Sequence, residues 1–151
     1  MQTGAVLDDI KVHVRFRLAA LWTSVMFCYI YADYFQLYQP GTVRSMMQGS
    51  MAPFGAASQS VLLGTSVMLT IPAVMIFLSI ALKSRISRAL NLAFGVIYTL
   101  IELLTIPGGW VFYQLFGAIE VILTLLVVWY SWRWPRIVAK DSPASQLNRR
   151  A

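Results

Sequence analysis

Residues 60–82 read SVLLGTSVMLTIPAVMIFLSIAL, a run without a single acidic or basic side chain. A helix needs about 20 residues, each rising about 1.5 Å, to cross the hydrocarbon of a bilayer. This run is long enough, and KSRISR at 83–88 closes it with three cations. A charge-free stretch of that length ending in a basic cluster predicts a transmembrane helix with its cationic end on the cytoplasmic side.

Three further stretches of similar length lie around it, at about 18–38, 89–106 and 111–132. Each carries one acid, Asp33, Glu102 and Glu120 respectively. On an insertion scale a central charge costs about 2.5–3.5 kcal/mol and each Leu, Ile, Phe or Val returns about 0.3–0.6. These segments are therefore near break-even alone, and insertion as helical hairpins with the acids turned inward is expected. The expected fold is an all-α integral membrane protein, a four-helix bundle over 18–134. A segment at 1–17 precedes it and a flexible cytoplasmic tail at 135–151 follows.

Composition agrees. Charged residues make up 12% of the 151 positions, against roughly 25% in soluble domains. The formal net charge is +6, but the cations flank apolar runs and form no polar stripe. They read as orientation and lipid contact, with no nucleic acid among the partners. Lys11, Arg15 and Arg17 precede the first span, and Lys83, Arg85 and Arg88 separate the second from the third. Arg133, Arg136, Lys140, Arg149 and Arg150 follow the fourth. The other two connections hold only Arg44. Both ends are thus expected in the cytoplasm, in a multi-pass protein of the inner (plasma) membrane. The first apolar run is long, begins late and has no A-x-A-like site after it, so it does not read as a signal peptide.

The connection at 39–59 mixes Pro40, Gly41, Gly49, Pro53 and Gly55 with Met46, Met47, Met51 and Phe54. It is too apolar for a free loop and is expected to lie over the outer mouth as a lid, or else to rest on the headgroups. Its methionines read as interfacial packing. A single histidine, His13, and a single cysteine, Cys28, make a metal site unexpected. Ala20, Ser24, Cys28 and Ala32 recur every four residues, a pattern expected to let another helix approach closely. Pro72 removes a backbone donor in mid-span and leaves the Met68 carbonyl free.

The chemistry-bearing residues fall on helical stripes. They are Trp22, Met26, Tyr29, Asp33 and Gln36 on the first span, then Asn91, Gly95, Tyr98 and Glu102 on the third. Tyr113, Gly117, Glu120 and Thr124 form the fourth span's stripe. Three stripes with one carboxylate each are expected to converge roughly 7 to 14 Å below the outer boundary. Tyr29 and Tyr98, four residues before their acids, are expected to donate hydrogen bonds to them. Tyr29-Asp33-(Pro40-Gly41) and Tyr98-Glu102-(Pro107-Gly108) echo one another, as two tandem hairpins would. No Lys or Arg lies inside the spans, so such carboxyls keep a proton or take up a cation.

The expected ligand-binding set is Asp33, Glu102, Glu120, Tyr29, Tyr98, Tyr113 and Gln36, and the expected ligand is small, cationic or apolar, or a proton. Two other uses fit the same residues: acid–base catalysis on a lipid, quinone or isoprenoid, and a non-catalytic role beside a membrane partner or a second copy. No cofactor is implied.

The segments Ala20-Leu21-Trp22, Tyr29-Ile30-Tyr31-Ala32-Asp33 and Pro40-Gly41 resemble the start of small uncharacterised bacterial four-helix membrane proteins of the DoxX-like group. Leu62-Leu63-Gly64, Ile71-Pro72, the basic turn with Asn91, and Ile119-Glu120 followed by Trp129 to Trp134 are similar too. The resemblance spans roughly residues 10–134 and implies the four-helix topology. It also implies an acid before the Ile-Pro of the second span, where this chain has Thr70.

Cysteine labelling should report Ser84 and Ser142 from the cytoplasmic side and Ser50 and Gly109 from outside. Labelling of Ser84 from outside would overturn the four-span topology.

Overall fold

The computed structural model describes residues 10–51 and 54–135. In chain order the elements are α1 (Val14–Gln36), the short α2 (Thr42–Met47), strands β1 (Ser50–Met51) and β2 (Gly55–Ala56), α3 (Gln59–Ala81), α4 (Ser84–Thr105) and α5 (Val111–Trp132). Four of the helices, α1, α3, α4 and α5, are long and apolar enough to cross a membrane. The fourth span has the expected bounds, whereas α1 and α4 begin several residues earlier than hydropathy suggested. The reason is local. Arg15, Arg17, Arg85 and Arg88 are good helix formers, so the helices continue through the basic flanks that hydropathy excludes. His13 caps α1, its ring accepting from the Arg15 amide at 3.3 Å. Only Leu82 and Lys83 separate α3 from α4.

The four long helices form a ring. α4 packs most closely on α5, α5 on α1, and α1 on α3, while α3 and α4 meet more loosely despite the short turn between them. α1 and α4 stand across the diagonal. Large side chains fill the space between them: Leu18, Trp22, Val25, Met75, Tyr98 and Val127 form the buried centre. Trp22 meets Tyr98 edge to face at 5.9 Å. The outward surfaces are apolar, with Leu62, Leu63, Val67, Val74 and Phe77 exposed along α3, as a lipid-facing helix requires.

At the basic end, arginines complete the helix termini. Arg15 donates to the Ile80 carbonyl in the last turn of α3 and to the Ser84 hydroxyl, both at 2.9 Å. Arg88 donates to the Ser131 carbonyl in the last turn of α5 at 3.0 Å. Both satisfy carbonyls that a helix end leaves open, and both place a cation where the helix dipole favours one.

One layer further in, Asn91 gathers three helices. Its Oδ1 accepts from Trp22 Nε1 at 2.8 Å and from the Ser79 hydroxyl at 3.0 Å. Its Nδ2 donates to the Ser87 carbonyl at 2.8 Å, and the Ser87 hydroxyl donates to the Ser79 carbonyl at 3.0 Å. Pro72 behaves as expected: the freed Met68 carbonyl accepts a hydrogen bond, from the Tyr98 hydroxyl of α4.

The expected lid is exposed over most of its described residues, with Gln39 reaching the pocket between α1 and α5 and Phe54 reaching α3. It forms its own small unit, α2 beside the antiparallel β1–β2 pair, and Met47 remains 84% exposed. Met46, Val43 and Phe54 are also exposed. Phe54 is its point of approach to α3, near Val61 and Met68. Apolar side chains held out in this way suit a segment resting in an interface. The small-residue stripe of α1 is not a packing seam along its length: Ala20 and Ser24 are exposed, and only Ala32 is buried. The bulky Leu18, Trp22 and Val25 take the inward face because the diagonal gap needs volume. Among the earlier expectations, Ala52 and Pro53 of the loop, most of the segment at 1–17, and the tail after Pro135 with Ser142 lie outside the described residues.

Asn91→Ala leaves Trp22 Nε1 without its partner, while the Ser79 hydroxyl keeps the Met75 carbonyl and the Ser87 hydroxyl keeps the Ser79 carbonyl; an unpaired buried donor costs about 1–3 kcal/mol. Reversible unfolding in mixed micelles should show a loss of about 2 kcal/mol for Asn91→Ala and under about 0.5 kcal/mol for the exposed Ser24→Ala. Equal losses would remove Asn91 from its central place.

Candidate functional site

The site grows from the seam between α4 and α5. On α4, Asn91, Gly95, Tyr98 and Glu102 are all buried, and on α5 so are Gly117, Glu120 and Thr124. Two glycines allow the helices to come close. A Cβ on Gly95 would sit 2.9 Å from Val128 Cγ2, and one on Gly117 only 2.5 Å from Ile106 Cγ1. Small residues at such a crossing let backbones approach and neighbouring polar side chains meet. Thr99 and Thr124 join across the seam at 2.8 Å, and Thr124 also reaches the Glu120 carbonyl at 2.9 Å.

Directly beyond this threonine pair lie the two glutamates. Glu102 is 6% and Glu120 4% exposed, and the two carboxyls are near enough to act on one another electrostatically. The Tyr29 hydroxyl donates across the bundle from α1 to Glu102 Oε1. Glu120 Oε1 is buried without a hydrogen-bond partner. Two carboxyls can approach like this when one carries a proton or a cation lies between them, because two bare charges this near repel strongly.

Asp33 is not drawn into this pair. It is exposed one helical turn beyond Tyr29, near enough to Glu120 and Tyr113 to act on them electrostatically. Tyr113 is half-buried behind Phe112, the ring centres 6.5 Å apart. Gln36 is half-buried at the end of α1. The tyrosines do not serve the acids four residues after them. Tyr29 reaches Glu102 on the opposite helix and Tyr98 reaches Met68 on α3. Helical side chains lean toward the N-terminus, so a phenol crosses to the next helix more readily than it climbs to residue i+4. Thr70 faces outward and donates to the Ser66 carbonyl; an acid there would point away from the pair. No group of three or more His, Cys, Asp or Glu side chains suited to a metal occurs among the described residues.

What sequence reasoning missed is aromatic. A pocket of about 340 Å³ opens between the ends of α1 and α5, lined by Phe35, Tyr38, Gln39, Trp110, Phe112 and Phe116. Phe35 stacks on Phe116 and meets Phe112 edge-on, each at 6.3 Å between ring centres. The density of aromatics at 34–38 and 110–116 was the available signal. Rings at the end of a span have an ordinary explanation as interfacial anchors.

No curated protein matches this chain, and no solved structure does. A family model does match, over residues 9–140, and it describes a family of unknown function. The chain therefore belongs to that family, DUF6326.

Proposed function

We propose that this chain is a multi-pass protein of the inner (plasma) membrane that binds a proton on the Glu102–Glu120 pair and couples its movement to that of a small ligand. The observation that carries the reading is the pair itself: two buried carboxyls facing one another, one oxygen unpartnered. Ionisable groups inside a membrane span that face the bundle interior mark proton or ion pathways. Asp33 is exposed near the end of the bundle farther from the basic flanks and acts electrostatically on Glu120; there it would relay the proton. Tyr29 fixes the orientation of Glu102 while leaving Glu120 free to exchange.

The orientation follows from the cations. Among the described residues, seven of the eight Lys and Arg lie at or beyond the end of the bundle that carries the α3–α4 turn, and only Arg44 at the other. That end is read as cytoplasmic, which puts the carboxyl pair in the outer half. Kinship with the DoxX-like group is part of the same proposal, resting on the shared tryptophan-rich end and the Ile-Pro of α3.

Infrared difference spectra across a pH step should reveal a protonated carboxyl in the wild type. In proteoliposomes the protein should dissipate an imposed proton gradient when a transported ligand is present on the opposite side. Glu102→Gln and Glu120→Gln should each remove both signals while shifting the melting temperature by only a few degrees, since an amide fills the same space without charge. The double variant should be no worse than either single one, as for residues acting as a unit. Asp33→Asn should slow gradient dissipation severalfold and keep the infrared band. Persistence of the band in the double amide variant would overturn the proposal.

A further inference from the structure

The described acids, Asp33, Glu102 and Glu120, all lie toward the end of the bundle away from the α3–α4 turn. No described carboxylate is therefore at hand to neutralise the basic end, and its arginines are not alike. Arg15 and Arg88 direct their donors inward, to the Ile80 carbonyl, the Ser84 hydroxyl and the Ser131 carbonyl. Arg17 and Arg133 are exposed and lie against rings of α5. The guanidinium carbon of Arg17 is 5.5 Å from the centre of the Tyr130 ring, and that of Arg133 is 4.2 Å from the centre of a Trp129 ring. A cation within about 6 Å of such a centre is held by the electron-rich face.

Helix geometry puts these contacts at one corner. Trp129 and Tyr130 follow one another on α5, and Arg133 is a surface neighbour of both at spacings of four and three. The Arg133 amide bonds the Trp129 carbonyl at 2.9 Å, so the helical spacing holds up to it. Arg17 comes from α1, beside Leu18 of the core on which Tyr130 packs. One cation from each helix is thus brought to adjoining rings.

A ring face attracts charge but is no ordinary hydrogen-bond acceptor, so N–H donors of both guanidiniums are left for another group. The arginine hydrogen bonds among the described residues are those of Arg15 and Arg88. A guanidinium edge matches a phosphate in shape and charge, with two parallel donors to two oxygens. Depth decides which phosphate. Trp129 and Trp132 are exposed at the end of a long apolar helix, and such rings settle at headgroup level. Arginines lying against Trp129 and Tyr130 are held at that level. They do not project beyond it, where an acidic segment of a soluble protein would meet them. A zwitterionic headgroup carries a cation of its own, which two arginines repel. An anionic phospholipid has none.

We infer that the corner formed by Arg17, Tyr130, Trp129 and Arg133 binds the phosphate of an anionic phospholipid. The inference rests on the chain's spanning a membrane and is independent of the proton-binding role of Glu102 and Glu120. A diffuse basic flank would use its cations alike, whereas here the two arginines held on rings do the binding.

The test uses the full chain, purified in mild detergent and returned to nanodiscs. The probes are phosphatidylglycerol and phosphatidylcholine, with lipid retention in native mass spectrometry and melting temperature as readouts. Phosphatidylglycerol should be retained in preference and should raise the melting temperature. Arg17→Gln and Arg133→Gln should each lower its retention about fivefold. Arg133 follows the last residue of α5, so its variant carries the test should Arg17→Gln fold poorly. Arg85 is exposed at the same end, and Arg85→Gln, the control, should change retention by less than about twofold. A fall for Arg85→Gln equal to that of the other two would mean diffuse attraction and overturn the inference. So would equal retention of the two lipids. Displacement of the lipid by glycerol phosphate would assign the corner to a soluble phosphate. Binding of a polyglutamate peptide that phosphatidylglycerol does not displace would assign it to a protein. Either result overturns the inference. The infrared carboxyl band reads the proton-binding proposal separately, so one can fail while the other stands.

Discussion

A hydrogen-bonding side chain enclosed among apolar helices has to find its partner inside the bundle, because the surroundings offer none. Almost every polar contact in this chain answers to that constraint. Asn91 is the clearest case: it lies where three helices can each bring a group to it, and Trp22 is long enough to reach it across the diagonal from α1. Tyr29 makes the same crossing one layer away. The diagonal helices do not touch through their backbones, so they are held together by an indole and a phenol whose polar tips end on α4. A smaller residue at either place would leave both a void and an unpaired group. Among the described residues Glu120 Oε1 and the Ser131 hydroxyl are the exceptions, and of the two only Glu120 is ionisable, which is where function is to be sought.

The helices do not contribute equally. α4 and α5 are locked by glycine contacts and by the threonine pair, and the carboxyl site sits on that firm half. α3 is the loosest member, apolar on most of its surface and interrupted by Pro72. The chain has in effect a rigid wall that holds the acids and a softer wall opposite, with the loop of α2, β1 and β2 hung from the soft side. Such a division suits a site whose geometry must be kept while its access varies.

Much of this was legible in the residues. The number and approximate bounds of the four long apolar helices follow from hydropathy, a local property of the chain. The α4 and α5 stripes could be read as buried because spacings of three and four put polar residues on one side of a helix. The pairing of particular groups could not be read. Periodicity gives a residue's angle around its own helix, not the neighbour it meets. Tyr29 and Tyr98 were therefore assigned to acids on their own helices, when each spans to another. Asp33 has the right depth, but it lies near the end of α1, where the bundle no longer encloses the helix face. The aromatic pocket was hidden for a different reason: rings at the end of a span have an ordinary explanation as interfacial anchors, and composition cannot tell a belt from a binding wall.

The bond between Tyr98 and the Met68 carbonyl has a consequence for how the sequence can change. Pro72 creates the acceptor and Tyr98 supplies the donor, so the backbone of one helix is completed by the side chain of another. Neither residue is explained by its own surroundings. A chain that regains an ordinary residue at 72 also regains the amide that Met68 lacks, and the phenol then competes for an acceptor already served. A chain that loses the hydroxyl at 98 leaves a carbonyl open in mid-helix. The two positions, twenty-six residues apart in the sequence on neighbouring helices of a hairpin, are therefore constrained together.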